Sequence, residues 1–274
     1  DLVLGNLGLN TRLHASPAEP ARMYVKDFDG NGFREQVLTS YANGASYPLA
    51  LRDELTSVLP HLKPRFPTYS DYAGKTVEQV FGSDLSGAVV RKAETFATSL
   101  ARNNGDGSFT LVPLPREAQI APIYGILAED LDRDGKLDLL LAGNFDGVQP
   151  AIGRMSASFG LFLKGDGRGG FSAVPSATSG FFAPGQARDI QRLRTRAGDL
   201  YVVARNNDRP LFFRAGPARR PLALLGPNED HAIGAARTVL RGAGGIPQHR
   251  DRLDVVRIDR VQVAGGIRAE GDAV

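Results

Sequence analysis

Short apolar runs separated by acidic, glycine-rich turns dominate the first 213 residues of the chain. Residues 123–128 and 139–142 form two such runs, and both are too short for helices. Residues 23–25 and 36–41 form a second pair around a turn of the same composition. The pattern predicts pairs of antiparallel β-strands, each pair joined by an acidic loop.

The loop between the first pair of runs carries four carboxylates within nine residues. They occupy positions 1, 3, 5 and 9 and are Asp130, Asp132, Asp134 and Asp138. Gly135, at position 6, permits a tight turn. Clustered carboxylates repel one another without a cation, and Ca²⁺ takes about six to eight oxygen ligands from a loop of this kind. We expect these carboxylates and the carbonyl of Lys136, at position 7, to bind Ca²⁺; residues 130–138 are called the Asp130 loop.

A second copy, the Asp27 loop (residues 27–35), repeats the pattern nearer the N terminus. Its candidate ligands at positions 1, 3, 5, 7 and 9 are Asp27, Asp29, Asn31, the carbonyl of Phe33, and Glu35. This loop offers three carboxylates and an amide. We therefore expect it to bind Ca²⁺ less tightly than the Asp130 loop.

A single acidic loop of this kind could also be an EF-hand or a metal-free turn. An EF-hand needs helical flanks and a Glu at position 12, where these loops have Leu141 and Leu38. A solvated hairpin turn without an ion is the remaining alternative, because Asp and Gly favour turns. The recurrence of the spacing favours a metal site.

Further copies of the pattern are incomplete. Residues 1–6 match residues 138–144 with one residue dropped, which places Asp1 at position 9 of another loop. Residues 187–198 lead into a similar strand at 199–206, but Arg and Thr replace most carboxylates. This degenerate copy is expected to form a hairpin without a metal.

A second motif, strand, Gly-Asp-Gly turn, aromatic residue and strand, alternates with the acidic loops. It occupies residues 100–113 and 161–175 and is typical of a β-hairpin. One unit thus reads strand, acidic loop, strand, connection, strand, Gly-Asp-Gly turn, strand. Repetition of this unit predicts an all-β fold, a partial β-propeller of four-stranded antiparallel blades over residues 1–213.

Two segments depart from the repeat. Residues 46–91 are expected to be a small, partly helical insertion with a helix over 70–81, closed by Gly82. This insertion is either a decoration on the edge of a blade or a lid over one propeller face. Residues 214–274 are rich in Arg, Gly and Ala and are expected to be poorly ordered or foreign to the repeat, although 251–263 alternate like one strand.

Composition narrows the function. The chain has 42% hydrophobic and 23% charged residues, and no apolar run approaches the roughly 18 residues of a membrane-spanning helix. The net charge of +3 is not concentrated in a basic cluster with aromatics, so nucleic acid is not an expected partner. Cysteine is absent, and the four histidines lack metal-ligand spacing. No motif of a catalytic nucleophile occurs.

The alternation of DxDGNGxxE or DxDxDGxxD loops with NNGDGxF turns resembles the FG-GAP/VCBS repeat family. Within it, the chain is most similar to bacterial proteins of the cartilage-acidic-protein-like (ASPIC/UnbV-associated) group, and the integrin α-chain propeller is a more distant relative. The resemblance implies a propeller of about seven or eight blades with Ca²⁺ in the blade hairpins. It assigns the metal to the ten loop positions named above.

The same resemblance implies a protein that is extracellular, periplasmic or on the outer surface, and that serves in adhesion or recognition. A non-catalytic module that binds a protein or glycan on a propeller face is the leading expectation. A carbohydrate-active lyase or hydrolase on the same scaffold is the alternative. Only about three and a half blades are recognisable, so we expect other sequence to supply the rest of the ring. No ASPIC/UnbV domain is recognisable in residues 214–274.

Overall fold

Four antiparallel β-sheets form the framework of the part of the chain that the structure describes. The structure, a computed structural model, describes residues 1–148, 153–196, 198–217 and 251–256. None of the four sheets closes on itself. The all-β prediction is therefore confirmed for the described residues.

The strands are short and the helices shorter. The strands are β1 Leu2–Leu4, β2 Ala21–Lys26, β3 Glu35–Ala42, β4 Ala45–Pro48, β5 Val89–Ala93, β6 Ser99–Asn103, β7 Phe109–Pro113, β8 Ile123–Glu129, β9 Asp138–Gly143, β10 Leu161–Gly165, β11 Phe171–Val174, β12 Ala187–Thr195, β13 Gly198–Arg205, β14 Leu211–Pro217 and β15 Asp251–Val256. The helices are α1 Arg52–Val58, α2 Tyr69–Tyr72, α3 Val77–Phe81 and α4 Ser176–Ser179, with 3₁₀ turns at Pro60–Leu62, Gly82–Leu85 and Arg116–Gln119.

The chain divides into two compact units. The first consists of Asp1–Pro122 with Gly147–Met155, and it contains the sheets β1-β6-β7 and β4-β3-β2-β5. The second consists of Ile123–Asp146 and the described residues from Ser156 onward. It contains the sheets β8-β9-β10-β11 and β12-β13-β14-β15, each an antiparallel meander in chain order.

The sheet β8-β9-β10-β11 contains every part of the predicted repeat unit. The Asp130 loop joins β8 to β9, and the Gly-Asp-Gly turn joins β10 to β11. Strand β9 is buried along its whole length, and β12 packs against β8 and β9. Gly125 permits this approach, because an added Cβ would lie 2.8 Å from Ile190 Cγ1 and 3.0 Å from the backbone of Asp189. The core of this unit lies between these two sheets.

The blade predicted around the Asp27 loop is assembled differently. The Gly-Asp-Gly hairpin β6-β7 pairs with β1, not with the strands of the Asp27 loop. Strands β4 and β5, which lie at the two ends of the predicted insertion, complete the sheet of β2 and β3. In its sheet, β1 takes the place that β9 has in the sheet β8-β9-β10-β11, because Leu2 pairs with Ala101 as Leu139 pairs with Leu163. The whole Asp27 sheet therefore lies within the connection between β1 and β6.

The insertion packs on a face of the Asp27 sheet. Tyr24 and Val37 of the sheet share a buried cluster with α1, the following 3₁₀ turn and α3. The helix predicted over 70–81 is instead two short helices, because Gly74 takes a left-handed conformation (φ 71°) between them. Thr68 and Thr76 cap the two helices.

The two remaining sequence predictions concern the C-terminal third. The degenerate acidic copy forms the hairpin β12-β13, in which the ladder continues to the pair Thr195 and Gly198. The strand predicted over 251–263 is confirmed for Asp251–Val256, which pairs with β14. The rest of the predicted 214–274 tail lies outside the described residues, except for the end of β14. Among the residues that the structure describes, no helix is both long and apolar enough to cross a bilayer.

Candidate metal centres

The Asp130 loop is folded around the carboxylate at its first position. Asp130 Oδ1 accepts a hydrogen bond from the Asp134 N–H at 3.0 Å, and its Oδ2 accepts one from the Gly135 N–H at 3.0 Å. Arg133 and Gly135 turn the chain through left-handed conformations, with φ of 61° and 83°. The turn brings the N–H groups of positions 5 and 6 to the Asp130 carboxylate.

The Asp27 loop has the same construction. Asp27 Oδ1 accepts from the N–H groups of Gly30 and Asn31 at 2.7 and 3.0 Å, and Oδ2 accepts from Gly32 at 2.9 Å. The left-handed residues are again at positions 4 and 6, Gly30 and Gly32. These hydrogen bonds lower the pKa of Asp27 from its ordinary value, and the Gly32 N–H has the largest effect. Two different sequences therefore form one loop conformation.

The carboxylate at position 9 ties each loop to its sheet. Glu35 Oε2 accepts from the Phe28 N–H at 2.8 Å, and Asp138 Oδ2 accepts from the Leu131 N–H at 3.1 Å. Asp138 is fully buried, and its Oδ1 also accepts from the Gly165 N–H on β10 at 2.9 Å. Burial raises the pKa of Asp138 despite these bonds. Among the described residues, Asp138 accepts hydrogen bonds from backbone N–H groups and forms no ion pair, so a nearby cation would compensate the charge of its ionised form.

Asp1 has the environment expected of position 9. Its Oδ1 accepts from the Asn103 N–H on β6 at 2.8 Å, as Asp138 accepts from Gly165 on β10. Asp1 directly precedes β1 and Asp138 is the first residue of β9, and each of these strands pairs with the first strand of a Gly-Asp-Gly hairpin. The sequence match between residues 1–6 and 138–144 thus corresponds to a structural match.

An apolar residue at position 2 anchors each loop in a core. The Phe28 ring lies 4.9 Å from the Phe81 ring, centroid to centroid, in the cluster of the insertion helices. Leu131 is 4% exposed and belongs to the core of the second unit. Sequence reasoning missed this role. The signal was an apolar residue between two aspartates of an otherwise polar turn.

The structure brings together three carboxylates in each loop. Within each set, one oxygen per residue lies within 4.8 Å of those of the other two; the sets are Asp27, Asp29 and Glu35, and Asp130, Asp132 and Asp138. Both sets could hold a metal ion, and all their donors are oxygens. Asn31 lies beside the first set, where its Nδ2 donates to Asp29 Oδ2 at 3.0 Å. The position-7 residues Phe33 and Lys136 donate their N–H groups to the position-5 side chains, at 2.8 and 3.0 Å. The metal-binding role of their carbonyls stays a prediction.

Asp134 is the predicted carboxylate ligand that is not part of these sets. Its Oδ2 lies 3.0 Å from Lys164 Nζ and 3.7 Å from Lys136 Nζ. Lys164 also forms an ion pair with Asp132. These contacts lower the pKa of Asp134, chiefly through Lys164, and raise the pKa of Lys164 to about 12, chiefly through Asp132. Sequence reasoning missed Lys164 because it lies on another strand.

Comparisons of the chain with protein-family models, with curated proteins and with solved structures find no match. The interpretation of the two loops therefore rests on the residues of this chain alone.

Proposed function

We propose that this chain is a non-catalytic, calcium-stabilised module of β-propeller blades that recognises a protein or glycan outside the cell. The observation that supports it best is the shared construction of the two acidic loops. The residues at positions 2 and 4 differ between the loops. In both loops, however, the position-1 carboxylate accepts from the N–H groups of positions 5 and 6, and the position-9 carboxylate accepts from the N–H of position 2. Because two loops of different sequence share this conformation and the same arrangement of carboxylates, we expect both loops to bind the same kind of ligand.

The chemistry of the donors favours Ca²⁺ over other metals. Each set consists of carboxylate oxygens on a sharply turning loop, whereas zinc sites are usually built from His and Cys. The proposed ligands are Asp27, Asp29, Asn31, the carbonyl of Phe33 and Glu35 in one loop, and Asp130, Asp132, Asp134, the carbonyl of Lys136 and Asp138 in the other. The ion would supply positive charge at a point where each loop joins two strands.

The ion's role in this proposal is structural. Extracellular calcium modules bind with Kd values on the order of 10⁻⁴–10⁻³ M. At about 1 mM Ca²⁺ and a Kd near 0.1 mM, linkage stabilises the folded state by about 1.4 kcal/mol per site. This is a useful fraction of the roughly 5–15 kcal/mol that separates folded from unfolded domains.

Thermal unfolding tests the metal part of the proposal. We expect the melting temperature of the chelator-treated protein to rise by a few degrees with 1 mM CaCl₂ and by less with MgCl₂. Asp27→Ala and Asp130→Ala should each remove part of the rise. Exposed Asp106, in a Gly-Asp-Gly turn outside both sets, offers Asp106→Ala as the matched control. An equal response to both metals in all variants would refute a specific calcium role.

The recognition part of the proposal is supported by the resemblance to FG-GAP/VCBS repeats, which is an argument from analogy. A glycan array probed with the Ca²⁺-loaded chain tests it, together with a search for products in the same wells. Calcium-dependent binding without turnover is the expected result. Release of shortened or unsaturated saccharides would instead indicate the carbohydrate-active alternative.

A further inference from the structure

We propose that Lys164 is a tethered cation that neutralises the Asp130 loop in its metal-free form and must leave before an ion binds, so that this lysine sets the metal affinity of the loop. The inference rests on the metal-binding role proposed above and assigns a competitor to one of the two sites.

The geometry around Lys164 is that of a cation held by the loop. Its ammonium forms an ion pair with Asp132, the ligand at position 3, and lies 3.0 Å from Oδ2 of Asp134, the ligand at position 5. The two ion pairs are partly exposed, with side-chain exposures of 42% for Lys164, 20% for Asp132 and 26% for Asp134. The lysine therefore binds two of the carboxylates that the spacing assigns to the metal, of which Asp132 belongs to the converging set and Asp134 does not.

The sheet delivers this lysine to the loop. Leu163 pairs with Leu139, so the next residue of β10, Lys164, lies beside Asp138 at position 9. The same register in the sheet β1-β6-β7 sets Arg102 beside Asp1. A basic residue beside position 9 thus recurs where a Gly-Asp-Gly hairpin joins the strand that follows the loop.

The Asp27 loop has no equivalent lysine. Strand β4 pairs with β3 as β10 pairs with β9, but β4 pairs with β3 only from Thr39 onward and does not reach Glu35. Lys26, next to the loop in sequence, donates instead to the carbonyls of Asp84 and Ser86, both at 2.8 Å. Among the residues that the structure describes, no basic side chain forms an ion pair with the three carboxylates of this loop.

The two loops should therefore respond differently to metal. An ion entering the Asp27 loop meets carboxylates that form no ion pair with the described basic side chains, whereas an ion entering the Asp130 loop must also break two ion pairs of Lys164. The count of carboxylates ranks the Asp130 loop as the tighter site. With Lys164 present, we infer that this ranking is reversed, and that removal of the lysine restores it.

Titration calorimetry with CaCl₂ on the full chain tests the inference. Lys164→Met removes the ammonium and keeps the aliphatic stem, whereas Lys136→Met removes an equal charge that lies farther away, 3.7 Å from Asp134. Both variants are made in an Asp27→Asn background, so that the Asp130 loop is the site observed. We expect Lys164→Met to lower the Kd roughly tenfold, as two partly exposed ion pairs allow, and Lys136→Met to lower it by less than about twofold. Equal effects of the two variants would overturn the inference.

A second measurement on the unaltered protein does not depend on the folding of variants. The rate of lysine acetylation, followed by peptide mass spectrometry, should rise at least severalfold at Lys164 when CaCl₂ is added and stay unchanged at Lys26. If the acetylation rate of Lys164 does not change with CaCl₂ while calorimetry shows two bound ions, the inference is overturned and the proposed function stands. Binding that appears only in Lys164→Met would support the inference in its strongest form. Absence of binding in every variant would overturn both proposals.

Discussion

Two residues of each acidic loop, at positions 2 and 9, connect the loop to the sheet behind it. The position-2 N–H donates to the position-9 carboxylate, and the position-2 side chain, Phe28 or Leu131, enters a core. Buried carboxylates must be paired, and at Asp138 the pairing depends on amide groups from two different chain segments. Small changes at these contacts should therefore affect folding and metal binding together.

Gly165→Ala is expected to be one of the most damaging small substitutions in the second unit. The added Cβ would lie 2.0 Å from the carbonyl oxygen of Leu137, and relieving this clash would move the N–H that Asp138 accepts. We expect a loss of about 3 kcal/mol in urea unfolding. Gly107→Ala is the control, because its methyl meets nothing within 4 Å and costs only the left-handed conformation, about 1 kcal/mol. Similar losses in the two variants would contradict the assigned clash.

Tyr72 makes stability depend on alkaline pH. Its hydroxyl donates to the carbonyl of Ala50 at 2.8 Å, and burial raises its pKa from 10.0 to about 12. Between these values the unfolded chain loses the phenolic proton while the folded chain keeps it, so the free energy of unfolding falls as pH rises. After allowance for solvent screening, this fall should amount to about 1 kcal/mol.

Urea unfolding of the wild-type protein and of Tyr72→Phe at pH 9, 10 and 11 checks this assignment. The variant should be less stable at pH 9, by about 1 kcal/mol for the lost hydrogen bond, and should then change less with pH. A parallel decline of both proteins would show that another group is responsible.

At the scale of elements, asparagines close the long connections that follow the loop-bearing strands. Asn144 Nδ2 donates to the carbonyls of Ser158 and Gly185 at 2.6 and 2.8 Å, and its Oδ1 accepts from the Ser158 N–H at 3.0 Å. Asn6 follows β1 in the same way, with its Nδ2 donating to the carbonyl of Thr95 at 3.1 Å. Each asparagine fixes where the next strand of its sheet begins.

Asn144→Gly isolates the contribution of these hydrogen bonds. Glycine accepts the φ of 83° found at Asn144, so the variant removes the side-chain bonds without backbone strain. We expect a loss of about 2–3 kcal/mol in chemical unfolding, since two buried hydrogen bonds and one partly buried hydrogen bond disappear. Asn144→Ala should lose about 1 kcal/mol more, because alanine disfavours the left-handed conformation. A loss below 0.5 kcal/mol in the glycine variant would refute the closing role, given that typical hydrogen bonds contribute about 0.5–1.5 kcal/mol each.

The insertion also supports the Asp27 loop, through the contact of Phe28 with Phe81. Phe81→Ala should cost about 4 kcal/mol and should also weaken Ca²⁺ binding at the Asp27 loop, because Phe28 loses its support. Phe66→Ala removes a ring from the same cluster, one that packs on Tyr72 instead. Calorimetric titration of the two variants should show weaker calcium binding in the first alone. Equal calcium affinities would show that the insertion does not support the loop.

The sequence predicts the local strands and turns well, but it does not predict which strands pair or which distant side chains come into contact. The strands around both acidic loops, and the loops themselves, follow from alternation and from Asp and Gly spacing, which are local signals. The pairing of β6 with β1 could not be predicted, because β2–β5 lie between them in the chain and alternation does not identify a partner strand. The contact of Lys164 with the Asp130 loop could not be predicted either, because its carboxylate partners lie 30 and 32 residues away in the sequence. The apolar spacing predicts one helix over 70–81, whereas in the structure the segment is divided near Gly74, which takes a left-handed conformation.

In the described part of the molecule, acidic loops join adjacent strands in two of the four antiparallel sheets. Three of the four sheets have four strands, and the two of the second unit run in chain order as the predicted blade does. If Ca²⁺ binds both loops, the protein gains about 1.4 kcal/mol per site near 1 mM calcium, distributed over both units.

Calcium binding is tested most directly by the number of Ca²⁺ ions that the metal-free full chain binds in titration calorimetry. We expect two sites per chain, with Asp27→Ala and Asp130→Ala each removing one. A folded protein, verified by circular dichroism, that binds no Ca²⁺ at millimolar concentration would contradict this expectation.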